Sequence, residues 1–197
     1  GLLLGPTAMG VGDDDVDAAL ADPVLAGLTP ADVVVAVSAS GRTPFTCAGA
    51  DLARDRGSRL VAIVSDVGTP LGAAADIEIC VPVDGEVIGG SSRLAAGLGQ
   101  KLVLNTLSTV VMVRLGRTVD GHMVCVEPLN DKLRVRAEST LAAVTGAPVE
   151  QVRELLAEAN GAGDVVAVAL LGATDVERAR ARLTACHGDI ARAVAAT

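Results

Sequence analysis

The sequence predicts an α/β fold, a doubly wound parallel sheet flanked by helices in three layers, with a small helical appendage at the C-terminus. Apolar runs of strand length alternate with helical segments over residues 32–115, which is typical of parallel βαβ units with right-handed crossovers. From Pro128 onward the chain becomes charged and helical. We therefore expect a sheet domain over residues 1–146 and a small helical domain over residues 147–197.

Three apolar runs predict neighbouring parallel strands. The first, VVVAV at residues 33–37, is too uniformly apolar for a strand with one solvated face, so we expect it to be buried on both faces. Pro44 suits the first turn of the helix that follows, and Gly57 suits its end. The predicted elements are, in order, a short strand at 1–5, strand 32–38, helix 43–57, strand 59–65, helix 70–75 and strand 77–82.

A long helix is predicted from about residue 91 to residue 115. Its apolar residues, among them Leu94, Leu98 and Leu102, recur at helical spacing. Gly97 and Gly99 each cost about 1 kcal/mol of helix propensity, so we expect another backbone to approach closely there. The apolar stripe exceeds what one small sheet can cover. We therefore predict a homodimer formed through surfaces that include this helix.

The C-terminal segment contains one ambiguous run. DVVAVALLG, at residues 164–172, is rich in valine like a strand, but its flanks favour a short helix. The run TGAP at residues 145–148 predicts the end of one helix and the start of another.

The composition excludes several classes of partner. The 197 residues carry a formal net charge of −8 and one aromatic residue, Phe45. A negative surface disfavours nucleic acid and anionic membranes, and single-stranded nucleic acid would also need aromatic side chains to stack on. A small anion remains compatible, because a local cradle of backbone N–H groups can hold it.

Neither the cysteines nor the histidines have the spacing of a metal site. We expect free, buried thiols in a reducing cytoplasm, with no metal and no cofactor. The apolar run at residues 102–116 is interrupted by polar residues and is shorter than the ~20 residues of a membrane span. The first ten residues lack the basic region of a signal peptide, so we expect the chain to begin inside a larger protein. The cysteines and histidines considered for a metal site are Cys47, Cys80, Cys125, Cys186, His122 and His187.

A polar turn follows the first long strand and is the strongest candidate for a binding site. It offers three hydroxyl groups, one flexible glycine and one positive charge, from Ser38, Ser40, Gly41, Arg42 and Thr43. In an open α/β sheet, ligands bind where the carboxyl end of a strand meets the N-terminus of a helix, and the helix dipole there favours anions. The turn therefore predicts a phosphate or carboxylate site. The alternative is a well-capped turn with Thr43 as the helix cap.

A second candidate anion turn precedes the long helix. It contains two glycines followed by Ser91, Ser92 and Arg93, with a serine as the predicted N-cap. Glu86, a few residues earlier, either binds a ligand hydroxyl or catalyses a proton transfer, or it is a solvated loop charge.

Together these segments resemble a known family. The runs DVVVAVSASGRTPF, GEVIGGSSRLAAGLGQKLVLNTLSTVVMVRLG and NDKLRVRA are similar, in order and spacing, to the N-acetylmuramic acid 6-phosphate etherases of the SIS (sugar isomerase) superfamily. The resemblance implies a parallel sheet between helices, a homodimer with sites near its interface, and a sugar phosphate held by both turns. It also implies removal of D-lactate from the C3 ether, with a carboxylate taking the C2 proton and a second group protonating the leaving oxygen.

The sequence departs from the family pattern at several positions. The family's first phosphate loop and one of its two catalytic glutamates have no counterpart here. The family's second catalytic glutamate lies in a GAED-like stretch, and this sequence has GVGDDD in its place. Ungapped counting puts Asp13 at that position, and its side chain is one methylene shorter. Ala95 replaces a family lysine, and Gly121 and Cys125 replace an asparagine and an aspartate.

Three candidate functions make different demands on the residues. An etherase needs two carboxylates, whereas a non-catalytic phosphosugar-binding regulator needs only the anion turns. A dinucleotide-binding enzyme needs a G-x-G-x-x-G turn after the first strand, and neither SASGRT nor GLGQK supplies it. The etherase is favoured for the parent protein. We expect these 197 residues by themselves to bind the sugar phosphate and to release lactate slowly or not at all.

Overall fold

The computed structural model describes residues 12–125 and 130–196. The chain divides into two compact units between Thr106 and Leu107. The strand expected at residues 1–5 lies outside the described residues. The predicted domain boundary between residues 146 and 147 stays a prediction.

The N-terminal unit is built on a three-stranded parallel sheet in the order β1-β2-β3. Val33 of β1 pairs with Arg59 of β2, and Val61 of β2 pairs with Ile77 of β3. The predicted α/β class, with a parallel sheet flanked by helices, is therefore confirmed. The strands are β1 Val33–Ser38, β2 Arg59–Val64 and β3 Ile77–Cys80.

Helices α3 and α4 cover one face of this sheet. Helix α3 contacts β1 and β2, α4 contacts β2 and β3, and the two helices contact each other. The apolar core between them includes Leu60, Ala62 and Val64 of β2, all fully buried, and Ala36 of β1. The helices of this part of the chain are α1 Val16–Leu20, α2 Pro23–Ala26, α3 Pro44–Asp55 and α4 Pro70–Ala74.

The strand that is buried on both faces is β2 and not β1. Ile63, on the face of β2 opposite the α3–α4 core, is fully buried, whereas Val33 in β1 is 63% exposed. The expectation for β1 is wrong for the described residues, because β1 lies at the edge of their sheet and β2 lies at its centre. An edge strand has a neighbour on one side only.

Helix α5 runs over Ala95–Arg114, four residues shorter at its start than predicted, because residues 87–94 form turns. Ala96 is its buried residue, while Leu98 and Leu102 are 62% and 68% exposed. A Cβ built on Gly97 would have no atom within 4 Å, and one on Gly99 would meet only the Val81 side chain. No backbone of the described residues approaches these glycines.

The length and hydropathy of α5 also meet the criterion for a membrane-spanning helix. It has 20 residues, and its most apolar stretch of 18 residues has a mean hydropathy of 1.2 and is 6% buried. Length and composition do not separate a membrane span from a helix that another protein surface covers. The expectation that the chain avoids membranes stays a prediction.

The C-terminal unit is a cluster of helices around α8. Val166, Ala167 and Val168 of α8 are fully buried, and α6, α7, α9 and α10 all contact this helix. A helix that is apolar on every side is stable when other helices surround it, which explains why the valine-rich run is helical. The helices are α6 Asp131–Thr145, α7 Val149–Glu158, α8 Gly163–Leu171, α9 Val176–Ala185 and α10 Ile190–Ala195.

The predicted break between α6 and α7 is present. Gly146 ends α6 in the left-handed conformation, with φ of 72°, and Pro148 precedes the first residue of α7. A small hairpin before α6 was not predicted. It joins β4 Thr118–Val119 to β5 His122–Met123 through Asp120 and Gly121, both with positive φ. The dipeptide Asp-Gly is a strong signal for such a turn and could have revealed it.

Candidate functional site

The turn after β1, residues 38–43, gathers three hydroxyl groups at the carboxyl edge of the sheet. Ser38 is buried, and its Oγ lies 2.9 Å from Thr43 Oγ1 and 3.5 Å from Ser40 Oγ. The backbone N–H of Gly41 donates to Ser38 Oγ at 3.0 Å. The structure therefore brings together the hydroxyls that the sequence marked as candidate phosphate ligands.

Thr43 stands at the N-cap position of α3 but does not cap it through its side chain. The Thr43 side chain makes no capping hydrogen bond, because its hydroxyl faces Ser38 instead. Arg42 is exposed, and its backbone N–H donates to Ser40 Oγ at 3.3 Å. The hydroxyls are thus bonded to one another and to the turn, an arrangement that a simple helix cap does not require.

Asp13, the candidate catalytic residue, lies beside the start of α3. Its carbonyl oxygen accepts the backbone N–H of Phe45, in the first turn of α3, at 3.0 Å. The neighbouring Asp15 has a structural task, since its Oδ1 caps α1 by accepting the N–H of Ala18 at 2.8 Å. The backbone of Asp13 therefore lies beside the start of α3, and its side chain is exposed.

The second candidate turn lies between β3 and α5. Ser91 Oγ accepts the backbone N–H of Arg93 at 3.2 Å, and Ser92 is exposed. Glu86 Oε1 accepts three backbone N–H groups at the start of α5, those of Leu94 at 3.0 Å, Ala95 at 2.9 Å and Ala96 at 3.4 Å.

The turns after β1 and β2 are bonded to each other. The N–H of Ser65 donates to Ala39 O at 2.9 Å, and the N–H of Leu71 donates to Gly41 O at 3.2 Å. Gly41 has φ of +61°, and a Cβ on it would collide with the Thr69 side chain. This close approach holds the polar turn in one conformation before any ligand arrives, which lowers the entropic cost of binding.

Comparison with known proteins identifies the sheet-containing part of the chain. A sequence profile of the SIS domain matches residues 15–113, half of the chain. The chain belongs to the SIS domain family. The matched residues include both polar turns and almost all of α5.

Curated relatives confirm the resemblance to N-acetylmuramic acid 6-phosphate etherases. Proteins of that name from Streptomyces avermitilis, Rubrobacter xylanophilus and Thermobifida fusca are 40%, 43% and 42% identical over 196, 173 and 159 residues. The alignments cover 98%, 88% and 81% of this chain but only 63%, 58% and 52% of the relatives. The chain thus spans little more than half of the length of these relatives.

One polar residue at the carboxyl edge of the parallel sheet was not predicted from the sequence. Ser65 follows β2 directly, is 4% exposed, and its Oγ has no hydrogen-bond partner among the described residues. A buried hydroxyl without a partner costs about 1–3 kcal/mol. No motif marks this serine, since the cost depends on the atoms that surround it in the fold.

Replacing Ser65 by alanine is expected to raise the free energy of unfolding by about 1 kcal/mol, because it removes this unpaired hydroxyl. Ser58 is a matched control, since it is 5% exposed but its Oγ donates to Thr29 O at 2.7 Å. Ser58→Ala should lower the free energy of unfolding by about 1 kcal/mol. Urea unfolding measures both variants, and equal losses would contradict the assignment of Ser65 as unpaired.

The thiols of Cys47, in the N-terminal unit, and of Cys125, in the C-terminal unit, are poorly suited to nucleophilic or metal chemistry. Burial raises the pKa of the Cys47 thiol, and the Asp51 carboxylate raises it further. Burial also raises the pKa of Cys125, with Asp164 acting in the same direction. Thiols with raised pKa values stay protonated at neutral pH. Within residues 12–125 and 130–196, no three His, Cys, Asp or Glu side chains are grouped to hold a metal ion.

Proposed function

We propose that this chain binds a sugar 6-phosphate and forms part of an N-acetylmuramic acid 6-phosphate etherase-like lyase. The hydroxyl cluster of Ser38, Ser40 and Thr43 carries this proposal. It lies at the carboxyl end of a parallel strand and at a helix N-terminus, where N–H groups and the helix dipole favour phosphate. The cluster and the N–H groups of residues 40–43 hold the phosphate, with Arg42 supplying a positive charge.

The proposed reaction removes D-lactate from the C3 ether of N-acetylmuramic acid 6-phosphate and leaves N-acetylglucosamine 6-phosphate. Asp13 takes the C2 proton, which the C1 aldehyde of the open sugar acidifies. A second group protonates the departing lactate oxygen, and water then adds to the unsaturated intermediate. The backbone of Asp13 is bonded to the first turn of α3, which follows the polar turn, and this placement supports Asp13 as the candidate base.

A non-catalytic, phosphosugar-binding function is the second candidate. It is favoured by the other uses of the carboxylates near the turns, since Asp15 caps α1 and Glu86 binds the start of α5. A regulator needs the anion turns but not a pair of catalytic carboxylates. Lactate release separates the two candidates.

We also propose a cytoplasmic homodimer that binds neither nucleic acid nor membranes. The net charge of −8 supports the exclusion of nucleic acid and anionic lipid. The exposed apolar face of α5, represented by Leu98 and Leu102, supports a second copy of the chain as its cover. Lys101 and Arg114 lie on the same helix and disfavour burial in lipid.

Sugar phosphate binding is tested by thermal unfolding. N-acetylmuramic acid 6-phosphate or N-acetylglucosamine 6-phosphate at ~100 times its Kd should stabilise the fold by roughly 2.7 kcal/mol. This corresponds to a rise in Tm of about 5–10 °C in a chain of this size. Replacing Ser40 and Thr43 together by alanine should abolish most of the rise, because it removes two hydroxyls of the cluster. A melting curve that neither sugar changes would contradict the proposed function.

Ser139→Ala with Thr184→Ala is the matched control for the binding test. Their hydroxyls donate to Val135 O and Arg180 O in helices of the C-terminal unit, so the rise in Tm should persist. D-lactate release by the 197 residues should be slow or undetectable. Brisk release that Asp13→Asn abolishes would assign catalysis to this chain and to Asp13. Brisk release that survives Asp13→Asn would remove Asp13 as the base.

A further inference from the structure

Glu86 ties the loop between β3 and α5 to the first turn of α5. Its half-buried carboxylate accepts the backbone N–H groups of residues 94–96 through one oxygen, at 2.9–3.4 Å. The N-terminal N–H groups of a helix have no partner within the helix, and the helix dipole there favours a negative charge. Glu86 therefore acts as a helix cap from eight to ten residues away in sequence.

The apolar side chains of this loop contribute little to its position. Val87 and Ile88 are 87% and 72% exposed, so apolar burial does not hold the loop in place. Gly90 has φ of +79°, and no atom of the described part of the chain lies within 4 Å of an ideal Cβ on it. Two bonds within the loop, from Ser91 N–H to Ile88 O and from Arg93 N–H to Ser91 Oγ, are local. The Glu86 carboxylate ties this turn directly to the helix.

We infer that Glu86 is a positioning residue that holds Ser91 and Ser92 against the sugar phosphate and does not itself touch the ligand. The inference rests on the proposed function. A Glu86 side chain that turned toward a sugar would leave three N–H groups of α5 without their acceptor, at the cost of their desolvation.

The same geometry gives the two turns different tasks. The negative charge of Glu86 at the start of α5 repels a phosphate there, so the phosphate binds at the turn after β1. Ser91 and Ser92 then contact the uncharged part of the sugar. The loop selects among sugars, whereas residues 38–43 bind the group that all sugar phosphates share.

Titration calorimetry with N-acetylglucosamine 6-phosphate tests this inference in the full 197-residue chain. Glu86→Ala should weaken binding at least tenfold, because the loop loses its tie to α5. Glu86→Gln should bind within about threefold of the parent, because its amide oxygen still accepts the α5 N–H groups. Asp84, an exposed carboxylate in the same loop, is the matched control, and Asp84→Ala should leave the affinity unchanged.

A double-mutant cycle separates positioning from a general loss of structure. Replacing Ser91 and Ser92 by alanine should weaken binding in the parent but have no further effect in the Glu86→Ala background, since the loop no longer presents them. Additive losses would overturn the inference. An equal loss in Glu86→Gln and Glu86→Ala would overturn it too, because the charge would then contact the ligand, and so would unchanged affinity in Glu86→Ala.

Hydrogen exchange distinguishes this inference from the proposed function. Amides of residues 94–96 should exchange at least tenfold faster in Glu86→Ala than in the parent and in Glu86→Gln. A parent chain that binds no sugar phosphate would remove the proposed function and, with it, the task of Ser91 and Ser92. A parent that binds, together with unchanged exchange in Glu86→Ala, would overturn the inference alone.

Discussion

Replacing Gly41 by alanine is expected to lower the free energy of unfolding of the N-terminal unit by about 3 kcal/mol. Two costs add at this position. A residue with a Cβ in the left-handed conformation is disfavoured by roughly 1–2 kcal/mol, and Gly41 has φ of +61°. The new methyl group would also collide with Thr69, and overpacking a buried site costs about 1–3 kcal/mol.

Thr69 cannot easily move away from this methyl group. Its side chain is 1% exposed, and its Oγ1 caps α4 by accepting the N–H of Gly72 at 3.0 Å. The turn after β1 must shift instead, and with it the hydroxyls of Ser38 and Thr43. We therefore expect Gly41→Ala to weaken sugar phosphate binding as well as the fold.

Gly68 is the matched control for the collision. It has nearly the same φ, +63°, but a Cβ there would meet no atom of the described residues within 4 Å. Gly68→Ala should therefore cost only the conformational term, roughly 1–2 kcal/mol. At about 2–4 °C per kcal/mol, calorimetry should show Tm falling by about 6–12 °C for Gly41→Ala and by about 2–8 °C for Gly68→Ala. Equal losses would mean that the two turns do not approach each other closely.

Placing charges on the apolar face of α5 is expected to dissociate the proposed homodimer. Leu98 and Leu102 are one helical turn apart and about two-thirds exposed. Burying such a leucine contributes about 1–2 kcal/mol, and a symmetric dimer buries each residue twice. Leu98→Asp with Leu102→Asp removes this burial and places four negative charges in the interface. We expect the dissociation constant to rise at least 100-fold, about 2.7 kcal/mol.

Sedimentation velocity at micromolar concentration measures this effect. The parent should sediment as a dimer and the double aspartate variant as a monomer. Val135→Asp provides the control, because Val135 is a similarly exposed residue, at 59%, on helix α6. This variant should remain dimeric. A parent chain that sediments as a monomer would contradict the proposed dimer.

Features that depend on local pattern could be predicted from the sequence alone. Apolar runs identified the three strands, and Gly and Pro marked the ends of helices such as α3 and α6. The same local chemistry identified the turn at residues 38–43, because small polar residues, a glycine and a proline follow a strand there. These signals are readable because backbone preference and hydrophobic period act over a few neighbouring residues.

Features that depend on distant residues became visible only in the folded chain. The central position of β2 in the sheet buried residues on both of its faces, and four neighbouring helices surround the valine-rich α8. Glu86 binds the N–H groups of residues 94–96, and Asp13 meets Phe45, across gaps in sequence that no motif encodes. Burial left the Ser65 hydroxyl without a hydrogen-bond partner among the described residues. Burial and hydrogen-bond partners are set by packing, and packing brings together residues whose separation in sequence carries no periodic signal.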